Sequence, residues 1–543
     1  MTRAPNLRRS LASRWRLLAG AALLGAAGLG TLQMVPRDAR AAADPADQTA
    51  AVTPTADVIA KGKYLTDMGD CAGCHVAPGG AYMAGGQYME MPFGVLSTPN
   101  ITPDHDTGIG YYTDDNFIRL MRHGVRPNGQ YIYPAMPYVW YNSLSRSDLL
   151  AIKAYLFTLK PVHAPRQPNH VWFPFNIRPA IALWDAAFVP NVEFKPDPKQ
   201  SDLVNRGDYI VNGLEHCGAC HNNRNFLGNG SLSLKILGGP ITMWYAPNIH
   251  PDNLSGIGRY SIEDMVQYFK KGHSEGMGTV AGPMSETIKW STSKLTDDDL
   301  RAITAYLKSR PATASYQART SAYRPIRASA GEAVYLNHCA SCHQVNGLGI
   351  KDKIPALDGN GMVRAYGSQT VLRVVLGGLE AHGQYAVMPG VGSEMSDQEI
   401  SDVSNYVRQA WSNQAPANAT PFLVSVLRKD TGTLLNGKRP NGCPSQDEAS
   451  PDVTKLVANQ SNGISALLSD THAANMLQNV NAIVAKIKAA APDVEQADIV
   501  NGLTIAYCPI VESDETVSSD QKPWQLTHFA QRLYVQLSTG GKY

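Results

Sequence analysis

Six cysteines and three histidines of this chain fall into one arrangement, three times over. Cys71-Ala72-Gly73-Cys74-His75, Cys217-Gly218-Ala219-Cys220-His221 and Cys339-Ala340-Ser341-Cys342-His343 all read C-x-x-C-H. Thiols at this spacing can add across the two vinyl groups of a porphyrin. The helical turn between them then sets the following imidazole under the iron as an axial ligand. Zinc would need cysteine pairs that meet in fours, and a redox C-x-x-C does not require the histidine. His makes up 14 of 543 residues, so three chance histidines at these positions have a probability on the order of 10⁻⁵. The sequence therefore predicts three covalently bound haems c. Cys71, Cys74, Cys217, Cys220, Cys339 and Cys342 attach them, and His75, His221 and His343 ligate iron.

Whether each iron is open or closed depends on a sixth ligand. An iron with one protein ligand can bind oxygen or peroxide, whereas one with two works mainly as an electron relay. Pro134-Ala135-Met136-Pro137, Gly282-Pro283-Met284 and Val387-Met388-Pro389-Gly390 place a Met nine, twelve and eight residues before the helix starts at Ser145, Thr296 and Ser396. Met136, Met284 and Met388 are the expected sulfur ligands, with Met277 as a competitor to Met284. Single methionines are more often core gap-fillers; it is the threefold register that favours ligation. His123, His273 and His382 are in range without a shared register and read as surface or structural.

The elements that must hold these residues also repeat. A glycine and an aromatic precede each motif on a short helical pattern: Gly62 and Tyr64, Gly207 and Tyr209, Gly331 and Tyr335. Glycine on a helix face lets another helix cross closely, with the aromatic filling the adjoining gap. A later helix opens each time on a pattern resembling a capping box: Ser145 to Asp148, Thr296 to Asp299, Ser396 to Glu399. Those helices carry Tyr155, Tyr306 and Tyr406. Pro99-Asn100-Ile101 and Gly108-Ile109-Gly110 recur as Pro247-Asn248-Ile249 and Gly256-Ile257-Gly258, each before an amphipathic helix. The third copy is more compact, with Pro355 and Leu357 in the corresponding place.

Around this frame, residues 1–43 carry seven Arg, one Asp and a Leu/Ala/Gly-rich stretch ending in Ala-x-Ala sites. They read as a signal peptide, with an uncleaved anchor as the alternative. The remainder has 41 basic and 45 acidic residues, which excludes a nucleic-acid-binding balance. At 17% charged and 43% apolar the chain is too polar to be a multi-span membrane protein. The expected order is cytochrome-like units at 44–160, 201–312 and 325–415, with a Pro/aromatic linker at 161–200 and a haemless helical extension at 416–543. The linker, with Trp172, Phe173, Phe175, Ile177, Leu183 and Trp184, either packs on its neighbours or meets a membrane surface or partner. Cys443 and Cys508 are a disulfide candidate in an oxidising compartment, two free thiols being the alternative. A final amphipathic helix is expected from Trp524 to Leu537.

Residues 55–415 resemble the three-haem cytochrome c subunits of membrane-bound periplasmic dehydrogenases of acetic acid bacteria. The resemblance rests on the C-x-x-C-H trio, on Tyr133-Pro134-Ala135-Met136-Pro137-Tyr138, on the Asn-Ile-Thr-Pro and Gly-Ile-Gly stretches of the first copy, and on Val387 to Gly390 with Ser396 to Glu399. It implies a mainly α fold of three tandem class I cytochrome c domains on the periplasmic side of the inner membrane. It also implies a large dehydrogenase subunit of molybdopterin, flavin or pyrroloquinoline quinone type as partner, and ubiquinone as acceptor. The Phe173 to Arg178 segment leans toward an aldehyde-oxidising molybdopterin partner. A free-standing electron shuttle and a haem-based peroxidase or reductase are the competing functions.

Overall fold

The structure, a computed structural model, describes residues 54–91, 93–189, 193–222, 236–241, 243–317, 330–383, 385–392, 395–435, 451–494, 496–517 and separate helical residues between 522 and 537. The segment read as a signal peptide, Cys443 and Trp524 lie outside them. Residues 55–543 cluster as one compact unit, and the architecture is mainly α.

In the first part, α1 (Ala56–Met68) runs into the short α2 (Cys71–His75). A hairpin of β1 (Tyr88–Met91) and β2 (Gly94–Ser97) leads to α3 (Asp114–His123), the one-turn α4 (Tyr138–Tyr141) and α5 (Arg146–Leu156). The linker contributes β3 (His170–Val171), which pairs with β2, and α6 (Pro179–Phe188). The second part repeats the order with α7 (Asp202–Tyr209), α8 (Gly218–His221), hairpin β4–β5 (Gly239–Ile241, Trp244–Ala246) and α9 (Ile262–Lys271). A small pair, β6–β7 (His273–Ser274, Gly278–Thr279), precedes α10 (Pro283–Trp290) and α11 (Asp297–Ser309). Among the described residues the third part keeps α12 (Ala330–His338), α13 (Ala340–His343), α14 (Gln369–Gly377) and α15 (Asp397–Gln409). Beyond it lie α16 (Pro421–Leu435), α17 (Pro451–Ala458), α18 (Ile464–Ser469), α19 (Met476–Ala490) and α20 (Gln496–Ser513).

The glycine before each C-x-x-C-H sits where two helices touch backbone to backbone. A Cβ on Gly62 would lie 1.9 Å from Ala151 O, one on Gly207 2.0 Å from Ala302 O, and one on Gly331 2.2 Å from Asp402 O. Thus α1 crosses α5, α7 crosses α11 and α12 crosses α15. The Cβ atoms of Tyr155, Tyr306 and Tyr406 complete the contacts.

Only the third of the later helices has the full capping box, with Glu399 reaching back to the Ser396 N–H. In the other two the carboxylate is occupied elsewhere. Asp148 takes a salt bridge from Lys61 (2.6 Å) and a hydrogen bond donated by Tyr209 Oη (2.5 Å), while the Ser145 N–H donates to that same hydroxyl (3.1 Å). Asp299 takes Arg206 (2.8 Å) and Tyr64 Oη (2.7 Å), and the Thr296 N–H donates to Tyr64 Oη (3.1 Å). Each tyrosine therefore caps the late helix of the other part, in a reciprocal, pseudo-two-fold exchange. Burial opposes ionisation of both aspartates, but these bonds hold them below the usual carboxylate range. One core runs through both parts, joining Leu65, Met68, Leu144 and Ile152 to Ile210, Leu214, Leu295 and Ile303. Tyr335 behaves differently: it donates to Gln344 O (2.6 Å) within its own part. Tyr209→Phe should cost about 1–2 kcal/mol, the loss of a hydrogen bond to a paired carboxylate, read as a lower denaturant midpoint with haem content unchanged.

The third part is fastened to the second by a buried cation. Arg364, 1% exposed, donates to Leu254 O (3.1 Å), Asn253 O (2.5 Å) and Gly359 O (3.2 Å). Tyr260 Oη donates to that same Gly359 carbonyl. A guanidinium buried this way is tolerated because carbonyls replace its water.

Candidate functional site

Each C-x-x-C-H forms a turn of helix with its histidine at the end. The three imidazoles then meet the same kind of partner. His75 Nδ1 lies 2.8 Å from Pro99 O, His221 Nδ1 2.7 Å from Pro247 O, and His343 Nδ1 3.2 Å from Pro355 O. A carbonyl only accepts, so Nδ1 carries the proton and Nε2 keeps its lone pair for a metal. Burial lowers the pKa of all three, which favours the neutral ring. Two of the carbonyls, those of Pro99 and Pro247, are themselves braced. Asn100 donates to Val162 O (2.7 Å) and accepts from the Thr102 N–H, and Asn248 does the same with Thr313 O (2.8 Å) and the His250 N–H. The repeated Pro-Asn-Ile thus has a mechanical role, presenting the prolyl oxygen to the ring.

None of the six motif cysteines is in a disulfide. Burial, then the charge of Asp70 and the neighbouring cysteines, pushes Cys71 and Cys74 up to about 12; burial and Cys342 push Cys339 up to about 11. Surroundings that disfavour a thiolate suit the uncharged thioether of an attached haem better than thiolate ligation of zinc. Among the described residues no three His, Cys, Asp or Glu side chains converge as a metal site would require.

The first two attachment turns abut. Cys220 lies within electrostatic range of Cys74. Trp140 of α4 covers the second turn, its ring 2.3 Å from where a Cβ on Gly218 would be. In return α10 packs on α2. Tyr141 Oη donates to Gly69 O (3.0 Å) and its ring meets His216 at 5.9 Å.

The three candidate methionines are all half-buried and sit on loops or helix starts apart from the attachment turns. Met136 lies between prolines; its N–H donates to Tyr133 O (3.3 Å), its carbonyl accepts from the Tyr138 N–H (2.8 Å), and its side chain packs on the shared core. Met284 opens α10 behind Gly282 and Pro283. Met277 packs on the same shared core as Met136, and its carbonyl lies 3.4 Å from Asn360 Nδ2. Met388 is held by paired backbone bonds to Leu379 (2.8 and 2.9 Å).

Residues 328–411 match the family model described as cytochrome c. Over 413 residues the chain is 36% identical to the cytochrome c subunit of the quinone alcohol dehydrogenase of Komagataeibacter europaeus, covering 71% of this chain and 87% of that one. It is 35% identical over 397 residues to the gluconate 2-dehydrogenase cytochrome c subunit of Pantoea cypripedii, covering 69% and 90%. With the fructose dehydrogenase cytochrome subunit of Gluconobacter japonicus it shares 36% over 433 residues, covering 74% and 86%. The chain belongs to the dehydrogenase cytochrome c subunits. Such a cytochrome binds haem c covalently, and the oriented imidazoles and the motif cysteines held outside any disulfide fit that group.

Two features of this cytochrome carry no motif in the sequence. Glu215, buried just before the second attachment turn, feels the charge of Asp70, half-buried just before the first, and Asp70 in turn feels that of Glu286. Nothing in their spacing marks them, because they meet only once the two parts dock. A basic cavity of about 480 Å³ is lined by Tyr133, Arg166, Asn169, Asn176 and Arg178. Burial, then the charges of Arg126 and Arg178, lowers Arg166 to about 10, and its charge reaches His75. Of the histidines read as surface or structural, His273 is buried and edge-on to Tyr385 at 5.4 Å, so its place is structural.

The linker both packs and stays exposed. Tyr133 Oη donates to Phe175 O (3.0 Å), Arg178 to Tyr131 O (2.9 Å) and Tyr138 Oη to Asp185 (2.6 Å), which fasten the linker to the Met136 segment. Yet Trp172, Phe173 and Leu183 are 65%, 78% and 75% exposed, with Phe175 and Ile177 beside them. Among the described residues no helix is long and apolar enough to cross a membrane. Cys508 is buried and disulfide-bonded.

Proposed function

We propose that this chain is the electron-transfer subunit of a periplasmic, membrane-associated dehydrogenase, passing electrons from a large catalytic subunit through three haems c to ubiquinone. The observation that carries the reading is the threefold recurrence of one device: a C-x-x-C-H turn, an imidazole locked by a prolyl carbonyl, and a glycine crossing behind it. Haem c, when bound, supplies one-electron iron chemistry, and Met136, Met284 and Met388 are the proposed sulfur ligands that raise its potential. The abutting first and second turns support an exchange between neighbouring centres. Arg126, Arg166 and Arg178 offer the positive charge that haem carboxylates at the first site would need.

The test is purification from solubilised membranes. The subunit should emerge with a dehydrogenase activity and with three haems per chain by pyridine haemochrome analysis, falling to two in Cys217→Ala/Cys220→Ala. Emergence alone, without dehydrogenase activity, supports a free shuttle instead. Carbon monoxide binding to the reduced native protein supports a haem-based enzyme. Assay of the co-purified activity with aldehyde, alcohol and sugar-acid substrates decides among partners, the aldehyde type being the one that Phe173 to Arg178 suggests.

The exposed aromatic patch of the linker supports contact with the membrane surface, where Trp and Phe prefer the boundary between water and acyl chains. Trp172→Ser/Leu183→Gln should weaken co-flotation with phospholipid vesicles roughly tenfold or more, with haem content unchanged. Equal flotation of variant and parent would remove the patch from this role.

A further inference from the structure

The extension beyond residue 415 has no motif of its own, but its contacts converge on one place. Its first helix, α16, completes a small core with α14 and α15: Val424 and Leu427 meet Leu372, Leu376, Met395 and Ile400, with Val391 packed against them. From the same helix Arg428 reaches across to the loop that carries Met388. Its guanidinium donates to Gly392 O (2.5 Å) and Met395 O (2.9 Å), and it grips Asp397 at the start of α15 (2.8–2.9 Å). On the other side of the methionine, Val387 packs against the core of the bundle formed by α17 to α20. The loop is tied from within as well: Val391 N–H donates to Val375 O (3.0 Å), and a Cβ on Gly378 would lie 2.6 Å from Met388 O.

We propose that the C-terminal extension is a clamp on the Met388 loop of the third haem site, with Arg428 as its positioning residue. The inference rests on the reading of Met388 as a sulfur ligand. A thioether binds ferric iron weakly, so its hold depends on how far the loop can stray. One guanidinium that binds two loop carbonyls and the capping helix removes that freedom at a single point. The other two methionines are placed differently: Met136 sits between prolines in the segment to which the linker is fastened, and Met284 lies at the start of a helix.

The experiment compares three variants of the full-length holoprotein, Arg428→Ala, Arg428→Lys and Met388→Ala, each checked for unchanged haem content. In Met388→Ala the reduced protein should bind carbon monoxide at about one haem per chain and lose about a third of the sulfur-to-ferric-iron charge-transfer band. Arg428→Ala should show the same two changes, and Arg428→Lys, which can hold only part of the network, smaller ones. If Met388→Ala changes neither signal, the ligand reading fails and the clamp with it. If Met388→Ala changes both while the Arg428 variants match the parent, the clamp alone is overturned. Should Arg428→Ala not accumulate, Arg428→Lys decides: partial carbon monoxide binding supports the clamp, and parental behaviour ends it.

Discussion

Gly207→Ala should leave a chain that accumulates little holoprotein and has lost on the order of 3 kcal/mol or more of stability. The added methyl would have to sit 2.0 Å from Ala302 O and 2.6 Å from Tyr306 Cβ. The first obstacle is backbone in the middle of α11, so no rotamer change can relieve it. The helices must separate by more than an ångström, and that opens the shared core through Ile210, Leu300 and Ile303. Arg206, one residue earlier, would be drawn from Asp299, which then faces burial with fewer partners. Gly62→Ala and Gly331→Ala meet the same kind of obstacle and should behave alike. Denaturant unfolding of whatever holoprotein can be recovered measures the loss. Parental stability in any of the three would mean that the crossing is looser than its geometry.

That crossing was legible in the sequence because it depends on a local signature, a glycine eight to ten residues before C-x-x-C-H. The attachment turns and the amphipathic α3 and α9 were legible for the same reason; in the structure Thr113 and Ser261 cap those helices and Gly124 and Gly272 end them. What the sequence could not display is what happens between the parts. Ser145 to Asp148 reads as a capping box, yet Asp148 is taken by Lys61 and by Tyr209 from another part of the chain. Tyr64 and Tyr209 read as fillers beside a glycine, and their hydroxyls turn out to be caps for each other's neighbours. Tyr335 has the same residue type but sits four positions after its glycine rather than two, which turns it into its own part. The linker sequence offered burial and exposure as alternatives, and the chain uses both: Ile181 goes in, Trp172 and Phe173 stay out. Periodicity describes single elements, and these outcomes depend on which elements meet.

Glu215→Gln should raise stability at alkaline pH and flatten its pH dependence. Glu215 Oε1 lies 2.6 Å from Ser291 Oγ, which is also 3.1 Å from Met68 O. Ser291 has one proton for two acceptors, so a protonated Glu215 that donates to Ser291, leaving Ser291 to donate to Met68 O, satisfies every group. Burial, opposed by the Ser291 bond and reinforced by the charge of Asp70, raises the carboxyl from 4.5 to about 8. A carboxyl raised on folding adds stability that is fully present below the unfolded pKa and is lost as pH climbs through the folded one. The loss should therefore run between about pH 4.5 and 8 at roughly 1.4 kcal/mol per unit, several kcal/mol in all. Gln keeps the shape, and its amide can donate to Ser291 as the protonated acid does. Parent and variant should then unfold at similar denaturant concentrations near pH 5 and diverge by pH 9, the variant being the more stable. Parallel curves across that range would mean that Glu215 is ionised in the folded protein, with a cation or water reaching it between the first two attachment turns.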